Sequence, residues 1–198
     1  MALVASPYGL RPYNMVGGSP YNGGATRMVP MTVNVATGIG FGDVVTIGAA
    51  SAGQPTAATQ TPVAGTTGGI LGVCVGCSFI DPVLKQQQYA NSVPAGAVSA
   101  GYTNIQVFVN DDPRQLYALQ AVGAAADTLI GKFCALENFL APNVYGNSVV
   151  RGSTPANTDT LAMRIVGFVN PQPDAFRDLV VKFNAGVLMW DNAIVLLN

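Results

Sequence analysis

Between Leu161 and Gly186 the chain reads LAMRIVGFVNPQPDAFRDLVVKFNAG, a pattern that fits two strands separated by a segment belonging to neither. Leu161, Met163 and Ile165 share one parity, as do Leu179, Val181 and Phe183, while Arg164, Asp178 and Lys182 take the opposite positions. Alternation with a period of two marks a strand with one buried face and one wet face. Pro171 and Pro173 each lack a backbone N–H and fix their own φ, so the chain has to turn or cross over between Asn170 and Asp174. Whatever this chain folds into must accommodate two such strands and the break between them.

Composition narrows the setting for that pair. Of the 198 residues, 49% are hydrophobic and only 10% are charged, against roughly 25% charged in ordinary soluble domains. Small and amide residues must therefore form much of the surface, or other subunits must cover it. Nine Lys and Arg against ten Asp and Glu give a net charge of -1, which supplies no electrostatic footprint for DNA or RNA and favours association over mutual repulsion. The uncharged span from Val44 to Ile80 is broken by Gly, Pro, Thr and Gln, so no membrane crossing is expected. MALVASPYGLRP lacks a basic start and a long apolar run, and is expected not to act as a signal peptide. The expected setting is the compartment of synthesis.

Read in order, residues 1–25 contain Pro7, Pro12, Pro20 and the tyrosines Tyr8, Tyr13 and Tyr21 without a sustained helical or alternating pattern. They are expected to form an extended arm whose aromatic residues need an outside surface, the alternative being a disordered tail. A first strand is expected from Arg27 to Val35, at an edge or bulge because of Pro30. A short strand at Asp43–Ile47 follows, then an uncharged surface excursion from Gly48 to Gly69. Ile70–Phe79, ILGVCVGCSF, is apolar enough for a fully buried strand, with Gly72 and Gly76 marking a bulge or the close approach of another backbone.

Beyond it, Lys85–Tyr89 reads as polar surface, and strands are expected at Ala97–Ala100, Tyr102–Asn110, Lys132–Glu137 and Ser148–Arg151. Asp111-Asp112-Pro113 reads as the turn of a hairpin whose returning strand is Gln115–Gln120. A helical turn is expected between Ala121 and Asp127, and the apolar stretch after Gly186 is expected to dock on this chain or a neighbour. The fold expected is mainly β: an antiparallel β-barrel or β-sandwich body over 26–186, an extended N-terminal arm over 1–25 and a docking segment over 187–198.

Three constellations invite a chemical reading. Cys74 and Cys77 have C-x-x-C spacing, but they flank a buried strand rather than a helix start, and a zinc site lacks its further ligands in a chain with no histidine and one more cysteine. All three cysteines, including Cys134, are expected to be free core thiols. The absence of histidine also removes the commonest general base. Asp111 and Asp112 precede a proline and read as a surface turn rather than an acid–base or calcium pair. Gly17-Gly18 and Gly38-Ile39-Gly40 lack the lysine and helix of a phosphate-binding loop. No catalytic, cofactor or metal site is expected.

The segments PYGLRPYNMVGGSPYNGG, GFGDVV, GGILGVCVGCSF, VFVNDDPRQLYALQ, LAMRIVGFVNP and DLVVKFN, taken in order, resemble the small head-decoration or cement proteins of tailed bacteriophages, those of marine and freshwater phages in particular. The resemblance spans nearly the whole chain. It implies a β-rich virion protein, made in the host cytoplasm and bound outside the capsid, with the major capsid protein as partner. It implies homotrimers or another homo-oligomer, with arms bridging subunits, and no enzymatic role. Tyr8, Leu10, Arg11, Tyr13 and Tyr21 lie in the matching opening and become the expected capsid or intersubunit contacts, with Trp190 in the C-terminal segment. The alternative is a glycan-binding β module of a virion or cell surface, which an exposed aromatic platform beside polar groups would favour.

Overall fold

In the computed structural model the described residues are 5–21, 26–48, 56–59, 69–170 and 176–189. They build a mainly β body whose strands pair antiparallel. In chain order the strands are β1 (Arg11–Met15), β2 (Thr26–Pro30), β3 (Ile39–Gly40), β4 (Val44–Gly48), β5 (Thr56–Thr59), β6 (Ile70–Ile80), β7 (Gln87–Ala90) and β8 (Ser92–Val93). They continue with β9 (Thr103–Asn110), β10 (Gln115–Gln120), β11 (Phe133–Cys134), β12 (Leu136–Glu137), β13 (Arg151–Gly152), β14 (Met163–Phe168) and β15 (Asp178–Phe183). The first sheet has the order β1-β10-β15-β14-β11; the second has β2-β9-β6-β4-β5, with β7 beside the far half of β6. The described strands close no barrel.

The expected pair is present: β14 and β15 run antiparallel with Met163 opposite Phe183 and Ile165 opposite Val181. Their inward residues, together with Tyr117 and Leu119 of β10, fill a core that also takes Val44, Ile70 and Val73 from the second sheet. The sheets are thereby stacked in a sandwich-like arrangement. A second core lies on the other face of the second sheet, where Val29, Leu71, Cys74, Cys77, Val107 and Val109 pack under Val35, Ile39 and Val93. Burial at this scale, roughly 25 cal/mol per Å² of apolar surface, is what holds the layers together.

β6 serves both cores, and its register explains how. A regular strand would alternate, yet Leu71, Cys74 and Cys77 all face the second core at steps of three. Two bulges insert the extra residues: the pairing slips between Ile70 and Gly72 against β4, and between Cys74 and Gly76 against β9. The two expected roles of glycine are both found here. Gly76 has φ +138, and a Cβ on Gly72 would collide with the Asn110 carbonyl group.

Pro30 ends β2, an edge strand bonded only to β9, where its missing N–H disturbs no ladder. The far end of the β14–β15 connection is clamped by Arg177, whose guanidinium is buried. It donates to the Asn170 carbonyl at 3.0 Å, pairs with Asp127 at 2.6 Å and lies 3.6 Å from the Phe168 ring centroid. Such a cation is tolerated because its donors are occupied.

Several expectations are corrected. The Asp111-Asp112-Pro113 turn does not join a hairpin: β9 belongs to the second sheet, and β10 pairs with β1 and β15 in the first. The turn is a corner between sheets, fixed by buried Asn110, which donates to Gln115 Oε1 at 3.2 Å and accepts from the Tyr117 hydroxyl at 3.4 Å. Ala97–Ala100 is a turn rather than a strand, closed by Ala100 N–H to Gly96 O at 3.0 Å. The polar run at Lys85–Tyr89 contributes β7, and the surface excursion from Gly48 to Gly69 contains β5. Lys132–Glu137 splits between two sheets, only Arg151 of the expected Ser148–Arg151 strand is regular, in β13, and the turn after Ala121 becomes a 3-10 turn at Asp127–Leu129.

The N-terminal segment differs most from expectation. Residues 11–15 do not leave the body as an arm but form the edge strand β1 of the first sheet, paired with β10. Ser6 N–H donates to Gln120 Oε1 at 2.9 Å and Gly9 N–H to Val150 O at 3.1 Å. At the other terminus Val187 and Leu188 are buried in the first core, while residues 190–198 of the expected docking segment lie outside the described residues.

Candidate functional site

The thiols are the nearest approach to a chemical motif in this chain. Cys74, Cys77 and Cys134 are free and buried. Burial pushes Cys77 and Cys134 up to about 12, and Cys74 is raised further by complete burial. The Cys74 thiol donates to Gly76 O at 3.5 Å and that of Cys77 to Ala90 O at 3.4 Å. These are core groups held in protonated form, with no thiolate to offer a metal or an electrophile. Asp111 pairs with Arg27 at 2.8 Å and Asp112 Oδ1 accepts the Arg114 N–H at 2.7 Å, so both carboxylates are spent on the corner. Among the described residues no three Cys, Asp or Glu side chains converge.

The contact residues expected from the sequence separate into three groups. Leu10 is fully buried in the first core, so its side chain offers no surface. Tyr13, on β1 with Arg11, is 40% exposed and does not line the groove described below, and Trp190 lies outside the described residues. Tyr8, Arg11 and Tyr21 do converge. The Arg11 guanidinium sits 4.8 Å from the centroid of the Tyr8 ring, an attractive cation–π arrangement. Burial, with a hydrogen bond to the Asp178 carboxylate, raises the Tyr8 hydroxyl well above the ordinary tyrosine range, so it remains a donor.

Arg11 and Tyr21, with Pro12, line an open groove of about 340 Å³ whose other walls are Phe41, Asn91 and Asn147. Its rim is a tight turn organised by Asn143, whose Oδ1 accepts from Tyr145 N–H at 2.9 Å and Asn147 N–H at 3.1 Å. Phe41 N–H donates to Gly146 O at 2.9 Å and Ser148 N–H to Phe41 O at 2.8 Å, which fixes the turn against the groove. The geometry leaves Val144 94% exposed and Tyr145 77% exposed at the tip. A cation, two aromatic rings and two amides thus line one groove, and the turn that supplies its Asn147 wall leaves Val144 and Tyr145 exposed.

Phe41, Asn91, Val144, Tyr145 and Asn147 were not foreseen. Asn143-Val144-Tyr145-Gly146 carries the legible signal: two large apolar residues at a turn position where polar ones are expected.

A second aromatic feature lies on the second sheet, on the face of β9 opposite Val107 and Val109. Tyr89 is 75% exposed and its ring lies at 30° to that of Phe108, with centroids 6.3 Å apart. Met28, 68% exposed, stands opposite Phe108 on β2, and Gln87 donates to the Tyr89 hydroxyl at 3.5 Å.

Comparison with protein-family models, with curated proteins and with solved structures gives no match for this chain.

Proposed function

We propose that the chain is a structural virion protein that binds the outside of a tailed-phage capsid and stabilises it by bridging major capsid protein subunits, as a homotrimer or another homo-oligomer. The observation that supports this reading is the groove lined by Arg11, Tyr21 and Phe41, next to the Asn143–Asn147 turn on which Val144 and Tyr145 are exposed. Arginine and tyrosine are the residue types that anchor protein interfaces, and an aliphatic tip at 94% exposure gains most from being covered by a partner. The face also contains Arg11 and Tyr21 from the opening segment that carries the resemblance to decoration proteins. Low charge and near-neutral balance fit a protein that works inside an assembly. The test is whether the chain copurifies with capsids and stays bound through extensive washing.

A second reading, a glycan-binding module, is favoured by the Tyr89–Phe108 platform and the neighbouring Gln87 amide. Sugar rings stack their apolar faces on such rings while amides take the hydroxyls. On that reading Tyr89→Ala abolishes retention on a glycan surface and leaves capsid binding unchanged.

A further inference from the structure

A second groove, of about 450 Å³, runs along the wet side of the β14–β15 pair. Three aliphatic side chains reach it from three separate places: Val16 just past β1, Ile130 after the 3-10 turn and Val166 on β14, at 51%, 54% and 40% exposure. Val166 shares the outward parity of Arg164, and the pairing with β15 slips at this point, between Ile165 and Gly167. Across this apolar floor stand Arg164 and Lys182, which are direct cross-strand neighbours.

That juxtaposition works against the fold. Like charges directly opposite on adjacent strands repel, and an unassisted pair is destabilising. Among the described residues neither cation forms an ion pair, and the only contact described for Arg164 is with the face of the Phe133 ring at 5.7 Å. Asp178, the acid on the same side of β15, is already engaged by the Tyr8 hydroxyl. Two cations beside an exposed aliphatic floor therefore present an unmet demand for an anion with apolar neighbours.

We infer that this groove is a docking site for a partner protein's extended segment, one that places a carboxylate side chain between Arg164 and Lys182 and aliphatic side chains on Val16, Ile130 and Val166. The carboxylate converts the cross-strand repulsion into a shared ion pair, and the flanking aliphatic groups cover surface now in water. An open trough across a sheet face, with side-chain contacts spread from Val16 to Ile130, suits an extended segment better than an enclosed small molecule. The inference is independent of the capsid reading, since it uses a different face and different residues.

The test uses the full isotope-labelled chain and three synthetic peptides, acetyl-LDVI-amide, acetyl-LNVI-amide and acetyl-LKVI-amide, followed by backbone amide shifts. The acidic peptide is expected to move Gly131, Val166, Lys182 and Ala185 at concentrations on the order of 1 mM, with the amide peptide about tenfold weaker and the lysine peptide inert. Lys182→Gln and Arg164→Gln should each weaken the acidic peptide severalfold while leaving the melting temperature of the free chain unchanged or raised. Val166→Ser should weaken it without changing the preference for acid over amide. Equal binding of all three peptides, shifts confined to other faces, no shifts at all, or a lowered melting temperature for Lys182→Gln would each overturn the inference.

Discussion

Leu10 N–H donates to the Gly42 carbonyl oxygen at 3.0 Å while its side chain is wholly enclosed in the first core. The pair fastens the segment before β1 to the loop that enters β4, so residues 9–15 are a structural part of the body. Leu10→Ala is therefore expected to cost about 2–5 kcal/mol, the range for emptying a buried leucine site. Urea unfolding followed by fluorescence measures it; a loss below about 0.5 kcal/mol, the level of a neutral surface change, would show that Leu10 is not part of the core.

The three thiols give a sharper prediction about reactivity. Because burial holds Cys77 and Cys134 near 12 and Cys74 higher, none supplies appreciable thiolate at pH 8, and none is open to reagent. Iodoacetamide should leave the native chain unmodified over a time that labels all three in urea, as intact mass will show. Rapid native labelling of Cys74 or Cys77 would place that residue at an accessible site.

Asp43 predicts a pH effect whose sign is fixed. Burial raises its pKa above 3.8, although hydrogen bonds from the Ser148 side chain and the Gly40 N–H, the latter at 2.7 Å, lower it in part. The folded state thus binds this proton more tightly than the unfolded chain. Its contribution to stability is full below the unfolded pKa and is lost as pH rises through the folded one. In Asp43→Asn, which keeps an oxygen for Gly40, that contribution is absent. The stability of the native chain relative to Asp43→Asn should therefore rise on acidification toward the ordinary aspartate range. Parallel melts across that window check the direction, and a difference that shrinks on acidification would contradict it.

How much of this was legible follows from how local each cause is. The β14–β15 pair, the edge position of Pro30 and the burial of β6 are written in alternation, a missing N–H and unbroken apolarity, all properties of short segments. The Asp111 corner was misread because a proline turn looks alike in a hairpin and between sheets; the difference is made by Asn110 and Gln115, polar residues whose burial depends on the other layer. The arm was misread because its tyrosines and prolines dominate its composition, while the residue that ties it down is Leu10. At the candidate face, Arg11 and Tyr21 were foreseen as single residues, but Phe41, Asn91 and Asn147 come from segments far apart in the chain and meet only in the fold.

The proposed binding of a capsid through the Arg11–Tyr21 groove and the neighbouring Val144–Tyr145 turn is tested directly by a pelleting assay. Shells assembled from the cognate major capsid protein are mixed with the native chain, with Arg11→Ala/Tyr21→Ala and with Val144→Ser/Tyr145→Ser, each shown by thermal melt to be folded. The account predicts that the native chain sediments with the shells and survives washing, and that each double variant binds at least tenfold more weakly, about 1.4 kcal/mol. A native chain that stays in the supernatant, or folded variants that sediment as fully as it does, would contradict the account.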